Sequence, residues 1–110
     1  MEPAEHASLA EAMNRLWAQF LPQMEERVAT LEAAAAALAE RTLTAAWREQ
    51  ATSAAHKLAG VLGTFGLVEG TLLAREAEGF YSGAPAGDAA ADGRPGEIAS
   101  QLRAMLAARK

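Results

Sequence analysis

Apolar residues return every three or four positions along most of the chain. From about Glu5 they fall at Leu9, Met13, Leu16, Trp17 and Phe20, one face of an amphipathic helix. The same phase runs on through Met24, Val28, Leu31, Ala35 and Leu38, past a proline at position 22. Proline inside a helix removes a backbone donor and clashes with the preceding turn, at a cost of about 3 kcal/mol. Two arrangements accommodate Pro22: one kinked helix, or a short helix followed by a second that carries the proline in its first turn. The second is preferred, giving helices over about 5–20 and 22–40 after an entry segment at Met1 to Glu5, with Glu25, Glu26, Arg27 and Glu32 mainly on the wet side. Glu40 to Thr42 reads as a tight turn, and Thr42 or Thr44 can cap the helix that follows.

The central stripe is Leu43, Trp47, Ala51, Ala54, Leu58, Val61, Leu62 and Phe65, which predicts a buried helix face over 43–64. Gly66 lies just past its end, where a left-handed cap favours glycine. Another helix is expected over 67–80, burying Val68, Leu72, Leu73, Ala77 and Phe80, with Gly70 and Gly79 weakening it. Residues 82–95 concentrate glycine and proline and read as one flexible loop. A last helix over 96–109 buries Ile98, Leu102, Met105 and Leu106, and its terminal Arg103, Arg109 and Lys110 suit the helix dipole. Short turns make successive helices antiparallel neighbours. The pattern therefore predicts an all-α fold: one domain over 1–110, an up-down-up-down four-helix bundle with an N-terminal helical extension. Both tryptophans are expected in its core.

Composition narrows the function. Length allows one domain with one modest core: 110 residues, 51% hydrophobic and rich in alanine. No cysteine is present, so disulfides and thiolate chemistry are excluded. The net charge of −4 is spread without a basic patch, against nucleic-acid binding. No apolar run approaches the roughly 20 residues of a membrane span, and the start lacks a signal pattern. A cytoplasmic protein is expected.

His56 stands two residues from both Ala54 and Leu58, hence roughly 200° round the helix from the buried stripe. Gly60 and Gly63 fall on its side. A glycine inside a helix costs about 1 kcal/mol against alanine, so two of them beside a histidine imply close approach by something to that face. Thr52, Ser53 and Ala59, the other neighbours within a turn, are small as well. None of them is a carboxylate, so no dyad forms within the helix, and none is a metal ligand. A hydrolase or metal site is poorly supported. The second histidine, His6, is assigned to the surface without a role.

The string His56-Lys57-Leu58-Ala59-Gly60, followed by Gly63, Phe65, Gly66 and Leu67, resembles the signature of histidine-containing phosphotransfer (HPt) domains. The place three residues after the histidine, lysine in many members, is Ala59. The resemblance implies a helical bundle that relays phosphoryl groups: His56 would take one from a receiver-domain aspartate, or from a kinase, and pass it to another receiver. It implies response-regulator receivers or a hybrid histidine kinase as partners, and Mg²⁺ and an active-site lysine on the receiver, with no cofactor on this chain. It also implies a stoichiometric carrier rather than a turnover enzyme.

The residues are consistent with that chemistry. A neutral imidazole offers a ring-nitrogen lone pair. Phosphoryl transfer depends on positioning and charge neutralisation. His56 would need a rigid helix and a flat landing area of Thr52, Ser53, Ala59, Gly60 and Gly63. Lys57, roughly 100° round the helix, and Arg75, brought level with His56 if the chain turns at Phe65–Gly66, are candidates to support the phosphate. Surface roles, Arg75 pairing with Glu76 or Glu78, are the competing reading. The competing reading of the whole chain is an HPt-like interaction or dimerisation module that transfers nothing. A monomer is expected.

Overall fold

The structure is a computed structural model that describes residues 3–83 and 93–109, with side chains from residue 9 onward. Four helices are found among the described residues: α1, Pro3–Ala39; α2, Ala45–Thr64; α3, Val68–Ser82; and α4, Arg94–Arg109. Each packs against its neighbours in the chain, and α4 closes the ring on α1. This is the expected antiparallel four-helix bundle.

Helix α1 corrects the preferred reading of Pro22. It is a single helix of 37 residues with Pro22 inside it. The proline and Ala18, whose carbonyl loses its partner, are both exposed. The defect therefore faces water, while the stripe of Trp17, Met24, Val28 and Leu31 is buried on both sides of it and holds one axis. The helix also begins at Pro3, within the segment expected to precede it, because proline suits a first helical turn. The N-terminal extension is thus the first part of α1. Its apolar residues do not all reach the core: Leu9 is 67% exposed, Leu16 41% and Phe20 37%.

Two helix ends share one device. At the end of α1, Arg41 adopts a left-handed conformation, φ 61°, as the amide of Thr42 reaches back to the carbonyl of Ala37 at 2.8 Å and that of Arg41 to Leu38 at 3.1 Å. At the end of α2, Gly66 does the same with φ 74°, and the amides of Leu67 and Gly66 reach Leu62 and Gly63. Both are Schellman caps. Glycine adopts this conformation freely and arginine does not. Arg41→Gly is expected to stabilise the fold by about 0.5–1 kcal/mol, read as a rise in the thermal midpoint. Thr44 caps the start of α2, its hydroxyl accepting from the Trp47 amide at 3.1 Å.

Helix α3 is rolled from its expected phase. It buries Gly70, Leu73, Ala74, Ala77 and Tyr81, while Val68 and Leu72 are 67% and 59% exposed. The cause is close packing at Gly70, where an added Cβ would lie 2.8 Å from Met105 Sδ and 3.0 Å from Leu62 Cδ1. A face of glycine and alanine lets α3 approach α2 and α4 more closely than the bulkier face could. Helix α4 starts at Arg94, inside the expected loop 82–95, with Pro95 buried in its first turn. The rest of that loop, residues 84–92, lies outside the described residues, as does the His6 side chain.

Two forked ion pairs tie the elements together. Arg94 donates to both carboxylate oxygens of Glu76 at 2.7 Å, joining α4 to α3. Arg103 likewise grips Glu32 at 2.8 and 3.2 Å, joining α4 to α1. These hydrogen bonds hold both carboxyls below the usual carboxylate range. The stabilisation is therefore present at neutral pH and is lost as acid protonates Glu32 and Glu76. Both pairs are partly exposed, so it is modest.

Candidate functional site

The rigidity of α2 comes from one face. Ala51, Ala54, Ala55, Leu58, Ala59 and Leu62 are buried against the bundle. His56 projects from the opposite side with its side chain 74% exposed. An unprotected ring nitrogen on a fully packed helix can be approached by a macromolecule without any rearrangement of the core.

The ring is not alone. Its Nδ1 lies 3.0 Å from Oε2 of Glu78 on α3. An ionised carboxylate can only accept, so Nδ1 carries the proton in this pair. The second nitrogen, Nε2, then holds the free lone pair. Reading α2 alone found no carboxylate beside the histidine, and that conclusion holds within the helix but not across the α2–α3 seam. The register is the reason. The chain turns at Gly66–Leu67 and brings Glu78 of α3 beside residue 56.

Beside the ring runs an open groove of about 530 Å³ between the first half of α2 and the last turns of α3. Arg48, Thr52 and Ser53 line one side, and Glu78, Tyr81 and Ser82 the other. Arg48 reaches across it to the carbonyls of Phe80 and Tyr81 at 3.4 and 3.5 Å, satisfying groups that the end of α3 leaves unpaired. Tyr81 forms the buried floor, and burial pushes its phenol up, so it stays neutral. Neither Arg48 nor Tyr81 stood out in the sequence, since their relation to His56 depends on how α3 lies against α2.

The expected landing area divides. Ser53, Gly60 and Gly63 are exposed and Thr52 is half-buried. Ala59 is only 7% exposed, and its carbonyl accepts from the Thr71 hydroxyl at 3.1 Å. It belongs to the α2–α3 packing rather than to the outer face. Three residues from His56, it is turned roughly 60° toward α3. A lysine in its place would have to leave along that seam. Gly63 is a close-approach glycine, with an added Cβ 3.3 Å from Thr71 Oγ1, whereas an added Cβ at Gly60 meets nothing within 4 Å. Gly60→Ala should therefore raise stability by about 1 kcal/mol through helix propensity alone. Gly60→Gln should keep the fold and, if this face receives a partner, slow transfer by several-fold in a single-turnover assay.

Lys57 and Arg75 are both exposed. Neither has a side-chain hydrogen bond or ion pair among the described residues, because Glu76 is held by Arg94 and Glu78 by His56. The structure thus removes the expected pairing of Arg75 with those glutamates. Among the described residues no cluster could hold a metal ion, and no helix is long and apolar enough to cross a membrane.

No curated protein and no solved structure matches the chain. The family model of the Hpt domain matches residues 15–110, a span that holds His56, Glu78 and all of α2, α3 and α4. With most of its length matched, the chain belongs to the Hpt domain family.

Proposed function

We propose that this chain is a phosphorelay intermediate in which Nε2 of His56 takes a phosphoryl group from the aspartyl phosphate of a receiver domain and returns it to another. The observation that carries the reading is the exposed His56 ring with Nδ1 held by Glu78 and Nε2 left open to solvent. The Nε2 lone pair forms the N–P bond as the acyl-phosphate P–O bond breaks, and the aspartate leaves as a carboxylate. The Nδ1 proton stays where it is. The ring gains positive charge, which the Glu78 carboxylate offsets through the same hydrogen bond. Return of the phosphoryl group reverses each step. The chain has no turnover of its own on a small molecule.

Ser53, Gly60 and Gly63, with Thr52 at the edge, form the surface against which a receiver lands. Lys57 and Arg75, two cations without carboxylate partners, are placed in the proposal to offset the charge of the phosphate. Receivers and hybrid kinases are the partners and the cytoplasm the setting, with Mg²⁺ supplied by the receiver.

The test is incubation with a receiver domain carrying labelled aspartyl phosphate. Acid-labile, base-stable label on the His56 peptide is the expected result. Label on another residue would overturn the assignment, and receiver binding with no label at all would leave only an interaction module.

A further inference from the structure

We infer that Arg75 is the phosphate clamp of His56, reaching it from α3 through the gap that Gly60 leaves in α2. The inference rests on the phosphorylation of His56 proposed above, and it names the side chain that binds what the ring then carries.

Two contacts fix how α3 lies along this part of α2. The Thr71 hydroxyl donates to the carbonyl of Ala59 at 3.1 Å, and Nδ1 of His56 donates to Glu78 at 3.0 Å. Arg75 comes four residues after Thr71 and three before Glu78, so it shares one ridge of α3 with both. Gly60 comes just after Ala59 and four residues after His56, so on α2 it stands between the same two contacts. Arg75 therefore lies across the seam from Gly60, within one turn of the ring. It is exposed, and it makes no hydrogen bond or ion pair among the described residues.

Gly60 supplies the path. A glycine inside a helix costs about 1 kcal/mol against alanine, and packing within the bundle does not account for this one, because an added Cβ meets nothing within 4 Å. Gly63, almost one turn on, does pack, with an added Cβ 3.3 Å from Thr71 Oγ1. The open space at Gly60 lies between Arg75 and the imidazole, and a bulky side chain there would stand in the way of the arginine. Lys57, the other unpaired cation beside the ring, leaves α2 about 100° from His56 on the side away from α3. Ala59 faces the seam but carries no charge, so the cation on that side of the ring comes from the opposite helix. Its guanidinium presents a planar fork that matches two phosphate oxygens. It also offsets the repulsion between Glu78 and a phosphoryl group on Nε2.

The test needs no receiver. Phosphoramidate phosphorylates an accessible imidazole directly: the N–P bond to Nε2 forms as ammonia leaves, and the Nδ1 proton stays on the ring. Uptake on the His56 peptide should slow about threefold in Arg75→Ala, as for one exposed charge contact, and Arg75→Lys should recover part of the loss. The ³¹P titration of the bound phosphate should move to higher pH in Arg75→Ala, since the dianion loses its cation; a merely structural role would not move it. Gly60→Leu should reproduce both effects with unchanged helical content, and adding Arg75→Ala to it should change neither further. Unchanged uptake and titration in Arg75→Ala, or additive losses in the double variant, would overturn the inference. A parent chain that shows every one of these effects with phosphoramidate, yet takes no phosphate from a phosphorylated receiver, would defeat the relay and leave the clamp standing.

Discussion

A His56→Gln chain is expected to take up no acid-labile phosphate from a phosphorylated receiver, a loss of at least about 10³-fold in rate, while melting like the parent. Both halves follow from where the side chain sits. The imidazole is 74% exposed, so its removal leaves no cavity and should move stability by no more than about 0.5 kcal/mol. Glutamine is the better helix former by a few tenths of a kcal/mol, and its amide can still donate to Glu78. What it cannot provide is a ring nitrogen with a free lone pair. The two outcomes are read separately, transfer by label and folding by thermal melt and circular dichroism. A variant that lost label because it unfolded would show it in the melt. A variant that folded and still carried label at the parent level would remove His56 from the mechanism.

Much of this fold was readable from the sequence, and the parts that were not share a cause. Gly66 as a left-handed cap, Thr44 as an N-cap and the Ala51–Leu62 face of α2 are decided within a few residues of chain, so local chemistry determines them. The exposure of His56 follows from that same face. The unbroken passage of α1 through Pro22 does not, because it rests on burial of Trp17 on one side and Val28 on the other, which outweighs the local cost. The roll of α3 has a similar origin. Val68 and Leu72 make the more hydrophobic stripe, but the partner surface of Leu62 and Met105 accepts a glycine and not a bulky side chain. Glu78 was hidden for a third reason. It lies 22 residues from His56, on another helix, where no pattern within α2 can reveal it. Charges in an antiparallel pair can be assigned across the seam only when the turn between the helices is fixed, and here a cap at Gly66 followed directly by Leu67 fixes it.

Removal of that carboxylate should slow phosphoryl uptake by about fivefold. Two effects oppose one another at Glu78. Its charge repels the incoming phosphoryl group, which would sit on the far nitrogen roughly 6 Å away; in water-like surroundings that repulsion is about 0.7 kcal/mol per unit charge. Against it stands the hydrogen bond from Nδ1, which fixes the tautomer that presents Nε2 and gains strength as the ring becomes cationic. Hydrogen bonds to charged groups contribute about 1.5–3 kcal/mol. The phosphoryl group carries about 1.5–2 charges, so the favourable effect wins by only about 1 kcal/mol, hence the fivefold. Glu78→Ala should show it in full. Glu78→Gln should fall between, since an amide oxygen accepts the same proton without its charge. Receiver affinity should hold in both, because Glu78 acts on the ring rather than on the landing face. The ¹⁵N shifts of His56 give an independent reading: the parent should show Nδ1 protonated and Nε2 free, and Glu78→Ala a mixture of the two tautomers. Transfer as fast in Glu78→Ala as in the parent, with unchanged ring shifts, would mean that the 3.0 Å contact is only a surface pair and that His56 orients itself unaided.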